Sequence, residues 1–89
     1  MALHAISYDL SKPERDYEKL FKAIKALGNW CHALESLWIV NTSLTVVEVR
    51  DKLKAAIDAN DSLLVTELTG NWASYNVGTT QTTWLKAVA

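Results

Sequence analysis

The stretch NWCHALESLWIVNT, residues 29–42, decides the fold that this sequence predicts. Aromatic and β-branched residues dominate it, and such residues favour strands over helices. We therefore predict two strands joined in a hairpin, with the bend near Leu34, Glu35 and Ser36. No Asn-Gly or Gly-Gly pair marks the bend, so its position stays open.

A helix is predicted before this hairpin. Ser11 and Glu14 have the spacing of a capping box, and Pro13 suits the first helical turn because its missing N–H costs little there. Gly28 is a typical helix stop. Between these signals the apolar residues recur at helical spacing. They are Tyr17, Leu20, Phe21, Ile24 and Leu27.

A second helix is predicted after the hairpin. Thr45 and Glu48 form another capping box, and Asn60 is a suitable left-handed cap. The apolar stripe between them consists of Val46, Val49, Leu53, Ala56 and Ile57. Its spacing again indicates one buried helical face.

Two apolar segments, residues 3–8 and 63–68, complete the pattern as first and fourth strands. The order strand, helix, strand, strand, helix, strand predicts a ferredoxin-like α+β fold. In that fold both helices cover one face of a four-stranded antiparallel sheet. We expect a single domain over residues 1–89, with a core at about 3–69 and a tail at 70–89. In the tail, residues 72–77 suggest an edge strand and residues 82–88 a short helix.

The other face of this sheet needs a cover, because the first and fourth strands are apolar on both sides. We expect the tail or a second subunit to supply it. A chain of 89 residues with one cysteine, Cys31, has a small core and no internal disulfide to stabilise it. These observations predict a homodimer.

Composition excludes several classes of protein. The chain is 49% hydrophobic and 21% charged with a net charge of −1, which argues against disorder and against a polybasic protein. The longest strongly apolar run, residues 37–40, is far shorter than a membrane span. The free thiol and the absence of a signal-peptide pattern lead us to expect a cytoplasmic protein without a membrane partner.

Asp9 is the first candidate for chemistry. A carboxylate where a strand ends is exposed and suited to bind Mg²⁺ or Mn²⁺ through oxygen. The alternative is that Asp9 caps a turn or pairs with Lys12 or Arg15. One carboxylate is a poor cation site, but two-fold symmetry would bring two copies together.

The first helix also carries a basic stripe of Lys12, Arg15, Lys19 and Lys22. A phosphate backbone fits this stripe, but the acidic residues between these positions favour a solvated face. The tryptophans Trp30, Trp38, Trp72 and Trp84 either stack on bases or fill a core or an interface. His4 and His32 lie in predicted strands without metal-ligand spacing, which indicates structural roles.

The order of motifs resembles that of the small CRISPR-associated nucleases that partner the spacer integrase, and of the related VapD-type toxin ribonucleases. The resemblance covers roughly residues 3–69. It rests on ISYDL at 6–10, on SLW at 36–38, and on ID at 57–58 followed by DSLL at 61–64. Short bacterial and phage proteins often labelled SinR-like are closer still, sharing YDL at 8–10, GNW at 28–30 and WLK at 84–86.

This resemblance implies a ferredoxin-like homodimer whose strand-end aspartates face each other across the two-fold axis. It implies Mg²⁺-dependent phosphodiester cleavage in some members and a nucleic-acid-holding role in others. Carried onto this chain, Asp9 is the catalytic and metal-binding residue, Tyr8 is its neighbour, and Ser36 and Trp38 form a second-strand motif.

Two hypotheses follow. The first is a homodimeric, metal-dependent endonuclease, such as an endoribonuclease, that acts on RNA or single strands without a small-molecule cofactor. The second is a non-catalytic dimeric module that binds nucleic acid or protein. Dependence of cleavage on Asp9 and on a divalent cation separates them.

Overall fold

The structure is a computed structural model that describes residues 2–11 and 17–88. Its elements are β1 (Ala2–Asp9), α1 (Glu18–Lys25), β2 (Asn29–Leu34), β3 (Leu37–Thr42), α2 (Val46–Lys54), β4 (Ser62–Leu68) and α3 (Thr79–Val88). The strands form one sheet in the order β2-β3-β1-β4, and all neighbours are antiparallel. This arrangement confirms the predicted ferredoxin-like α+β architecture. Among the described helices, none combines the length and apolar character that crossing a membrane requires.

The hairpin prediction is confirmed, and the bend is the two-residue connection Glu35-Ser36 between β2 and β3. A register shift between Cys31 and Leu34 disturbs the pairing next to this bend. The first strand, β1, lies in the middle of the sheet, with Ile6 opposite Trp38 of β3 and Val65 of β4.

The core lies between the sheet and the first two helices. Strands β1 and β3 and helices α1 and α2 all contribute to it. Its buried side chains are Ile6, Tyr8, Tyr17, Leu20, Ile24, Trp38, Val40, Val49 and Leu53. Both helices therefore cover the same face, as predicted, which we call the helix face.

The helix boundaries differ from the predicted ones. Helix α1 ends at Lys25, before Gly28, because the bond from Leu27 N to Ile24 O tightens the chain into a turn. Gly28 instead allows a close approach, since a Cβ there would overlap the carbonyl oxygen of Asn41. The predicted capping box of Ser11 and Glu14 does not begin α1, because this helix starts at Glu18 with Tyr17 at its N-cap. Ser11 donates to Asp61 instead, and Glu14 lies outside the described residues.

Helix α2 begins with the predicted capping box. Thr45 Oγ1 accepts from Glu48 N at 3.2 Å, and Glu48 Oε1 accepts from Thr45 N at 3.0 Å. The helix ends at Lys54, where the N–H of Ala56 bonds to Leu53 O in a tighter turn. The predicted end at Asn60 is therefore too late.

The tail is only partly as predicted. The short terminal helix is confirmed as α3, which is anchored to β2 by the bond from Trp84 Nε1 to Asn29 Oδ1 at 3.1 Å. The edge strand at 72–77 is wrong, because these residues form no strand. Asn76 has φ 58°, a left-handed conformation that interrupts an extended segment.

Candidate functional site

The sheet has a second face, opposite the helix face, on which Asp9 lies. Because side chains alternate along a strand, Leu3, Ala5, Ser7 and Asp9 of β1 share this second face. Residues opposite each other in the register share a face, so Leu64 and Ser62 of β4 also lie there, beside Ser7 and Asp9. Asp9 is exposed at the end of β1.

A shallow depression of about 200 Å³ surrounds Asp9. It is lined by Ser7, Tyr8, Asp9, Ser62, Leu63 and Leu64. Within residues 2–11 and 17–88, the Asp9 carboxylate forms no hydrogen bond or ion pair. The side chains of Asp9, Ser7 and Ser62 are all exposed. The alternative pairing of Asp9 with Lys12 or Arg15 falls outside the described residues.

A second carboxylate near this edge, Asp61, is used differently. Its Oδ1 accepts from Ser11 N at 2.8 Å, from Ser11 Oγ at 2.9 Å and from Tyr17 OH at 3.1 Å. Its Oδ2 accepts from Asp58 N at 2.9 Å. These bonds lower the pKa of Asp61 to about 2, and the bond from the Ser11 backbone N–H has the largest effect. Asp61 thus holds the chain after β1 against the loop before β4.

Tyr8 and Trp38 lie on the helix face, away from the Asp9 carboxylate. Trp38 Nε1 donates to Tyr8 OH at 3.0 Å, and Tyr8 OH donates to Glu35 O at 3.0 Å. Burial raises the pKa of Tyr8 above its ordinary value, so the phenol stays neutral. The exposed Ser36 lies beside this strand end, where its carbonyl accepts from Tyr8 N at 3.3 Å.

Both histidines take part in packing, in agreement with the prediction of structural roles. The Nε2 of the buried His4 donates to Leu44 O at 2.7 Å. The ring of His32 stacks on Trp38 with centroids 3.9 Å apart and planes 11° apart. A bond of 3.1 Å joins His32 Nε2 to Glu35 O.

The described part of the basic stripe lies on α1. Lys19 and Lys22 are exposed, and Lys22 Nζ lies 3.4 Å from Glu18 Oε1. Lys12 and Arg15 fall outside the described residues. Sequence reasoning missed Lys25, whose Nζ lies 5.0 Å from the centroid of the Trp30 ring. The signal that identifies it is the three-residue step from Lys19 to Lys22 to Lys25.

The second face carries a large apolar surface that the tail covers in part. A cavity of about 330 Å³ lies between the sheet and the tail. Its apolar lining includes Leu3, Ala5, Leu37, Ile39, Trp72, Val77 and Leu85. Cys31 is buried, and burial raises its thiol pKa, so it is a poor nucleophile.

Within the described residues, no group of three or more histidine, cysteine, aspartate and glutamate side chains is placed to hold a metal ion. Asp9 therefore belongs to no such group in the part of the chain that the structure describes. No known family model matches the chain.

Proposed function

We propose that this protein is a homodimeric, metal-dependent endonuclease that acts on RNA or single-stranded nucleic acid. Its dimer interface is the second face, and its cation ligand is Asp9 of each subunit. One observation carries the proposal: the open carboxylate of Asp9 lies on the same sheet face as the exposed apolar side chains. A face-to-face dimer formed near that edge would bring two copies of Asp9 together.

The exposed apolar residues support the choice of this face. Leu64, next to Ser7 on the second face, is 65% exposed. Three more exposed apolar side chains line the cavity between the sheet and the tail: Leu34, Trp72 and Tyr75. Clustered apolar surface of this kind is typical of protein interfaces, and burying it stabilises association.

The oxygen ligands near Asp9 suit a hard cation once a second subunit contributes the same ligands. Mg²⁺ prefers oxygen ligands and is commonly held by one or two carboxylates together with substrate phosphates. The two Asp9 carboxylates would hold it, with the hydroxyls of Ser7 and Ser62 near enough along the strands to orient water or phosphate. When bound, the cation supplies charge stabilisation at the phosphate and activates the attacking water.

The other residues support binding. Lys19 and Lys22 are exposed on α1 and would attract the phosphate backbone. Lys12 and Arg15 extend this stripe in the sequence. Tyr8 and Trp38 act as positioning residues, because their hydrogen bonds tie the end of β1 to Glu35 in the bend before β3.

The test is cleavage of a labelled single-stranded RNA by rigorously purified Asp9→Asn in Mg²⁺, with wild-type protein in EDTA as a second condition. Loss of a metal ligand is expected to lower the rate by about 100-fold or more, since metal-ion stabilisation amounts to several kcal/mol. Asp51→Asn is the matched control, because Asp51 is an exposed carboxylate on α2 that pairs with Arg50. Unchanged cleavage by Asp9→Asn would overturn the catalytic role.

A second candidate function is a non-catalytic dimeric module that binds nucleic acid or protein. The extent of the apolar second face, together with a net charge of −1, favours it. Under this function the protein dimerises, wild type shows no cleavage in Mg²⁺ or Mn²⁺, and Asp9→Asn binds its partner as wild type does. Cleavage that needs both a divalent cation and Asp9 excludes it.

A further inference from the structure

Trp30 differs from the buried tryptophan next to it. It lies on β2, an edge strand of the sheet, and is 38% exposed, whereas Trp38 is 2% exposed. The two rings pack with centroids 5.3 Å apart and planes tilted by 52°. Trp38 is itself held by His32, which stacks on it. The Trp30 ring therefore packs on Trp38 and is still partly exposed to solvent.

A flexible cation lies above this ring. Lys25 Nζ is 5.0 Å from the ring centroid, a cation–π distance. Lys25 is exposed at the last turn of α1, so its long side chain can swing aside at little cost. Moving it uncovers an aromatic surface and leaves the ammonium beside that surface.

A row of positive charge leads to this point. Lys19, Lys22 and Lys25 follow one another at three-residue steps on α1, and all three are exposed. Each step turns about 60° around the helix, so the row winds across its exposed surface. Each step is about 4.5 Å along the helix axis. The pair of Lys22 with Glu18 is also exposed, so it competes only weakly with another anion.

We infer that Trp30 and Lys25 form a base-stacking platform at the end of this lysine row, which binds single-stranded nucleic acid. A base stacks on the Trp30 ring while Lys25 moves to the adjoining phosphate, and Lys22 and Lys19 follow the backbone. This combination of an aromatic surface with cations along the strand is how proteins bind single strands without sequence preference. The choice of nucleic acid as the partner rests on the proposed function. Binding at the platform itself needs neither Asp9 nor a divalent cation.

The test is fluorescence anisotropy with a labelled hexauridylate in EDTA, where divalent-dependent cleavage is absent and the probe is too short to span distant sites. Trp30→Ala is expected to weaken binding by about 5- to 150-fold, the range for losing one stacked base. Trp30→Phe keeps a stacking ring and is expected to restore most of the affinity. Because Phe also keeps the packing on Trp38, this variant separates loss of stacking from loss of fold.

Salt dependence tests the role of Lys25. Removing one phosphate contact from a single strand lowers the slope of log affinity against log salt by about 0.7. Lys25→Gln is expected to show this decrease, whereas Trp30→Ala keeps the wild-type slope. Lys54→Gln, an exposed lysine in the last turn of α2, is the matched control and is expected to change neither quantity.

The inference is overturned if wild type does not bind the oligonucleotide, if Trp30→Ala binds as wild type does, or if Lys25→Gln and Lys54→Gln have equal slopes. Cleavage assays keep its failure distinct from that of the proposed function. If Trp30→Ala binds normally but Asp9→Asn abolishes cleavage, the platform is wrong and the nuclease stands. If binding depends on Trp30 while no cleavage occurs, the platform stands without the nuclease.

Discussion

Replacing Leu64 by serine tests whether the second face is a dimer interface. Leu64 lies on β4 opposite Ser7, two positions along β1 from Asp9, and is 65% exposed. Full burial of a leucine side chain contributes about 1.5–3 kcal/mol, so burying the exposed part contributes about 1–2 kcal/mol. A two-fold interface contains the residue twice, which gives about 2–4 kcal/mol for the dimer. Leu64→Ser is therefore expected to raise the dimer dissociation constant by about 30- to 1000-fold.

Sedimentation equilibrium of wild type and variant over a wide concentration range measures this change. Val47→Ser is the matched control, because Val47 is also an exposed apolar residue, 52% exposed, but lies on α2 on the other side of the sheet. Thermal unfolding of each variant checks that the fold is kept. A wild-type protein that is monomeric at all concentrations, or an equal effect of both substitutions, would refute the reasoning.

Three further substitutions test the fold that positions the site. The pKa of Asp61 is lowered to about 2, so its contribution to stability is present above the ordinary carboxyl pKa of about 4 and is lost as pH falls through 2. Asp61→Asn should consequently be less stable than wild type in urea at pH 7, and a constant difference down to pH 2 would contradict this linkage. Gly28→Ala should lower the free energy of unfolding by about 1–3 kcal/mol, because the added methyl group meets the Asn41 carbonyl. Gly70→Ala is the control and should leave the free energy of unfolding unchanged, because open space surrounds Gly70. Thr45→Ala should cost about 1 kcal/mol through loss of the α2 cap, and an unchanged urea midpoint would show that the cap is unimportant.

The parts of the fold that could be predicted from sequence depend on residues only a few positions apart in the chain. The capping box of Thr45 and Glu48 spans three residues, so both hydrogen bonds that it forms were predictable from residue types alone. The short apolar segment at residues 3–8 likewise placed Asp9 at a strand end. Helix ends were predicted less well, because turn bonds such as that from Leu27 N to Ile24 O compete with glycine and asparagine signals at the ends of helices.

The candidate site was only partly predictable. Asp9 was identified from its position, but its separation from Tyr8 and Trp38 depends on the two faces of the sheet. Asp61 was noticed only as part of a resemblance, because its partners Ser11 and Tyr17 lie 50 and 44 residues away in the chain. Contacts at such separations leave no local pattern.

Local patterning thus determined the order of strands and helices, the α2 cap and the exposed strand-end carboxylate. Tertiary packing decided that the tail crosses the second face instead of adding an edge strand, and that Trp30 remains accessible while Trp38 is buried. Both tryptophans occupy similar hairpin strands, but β3 lies inside the sheet and β2 at its edge. The number of neighbours around a side chain is a property of the assembled sheet, so it cannot be read from the residues beside it in the chain.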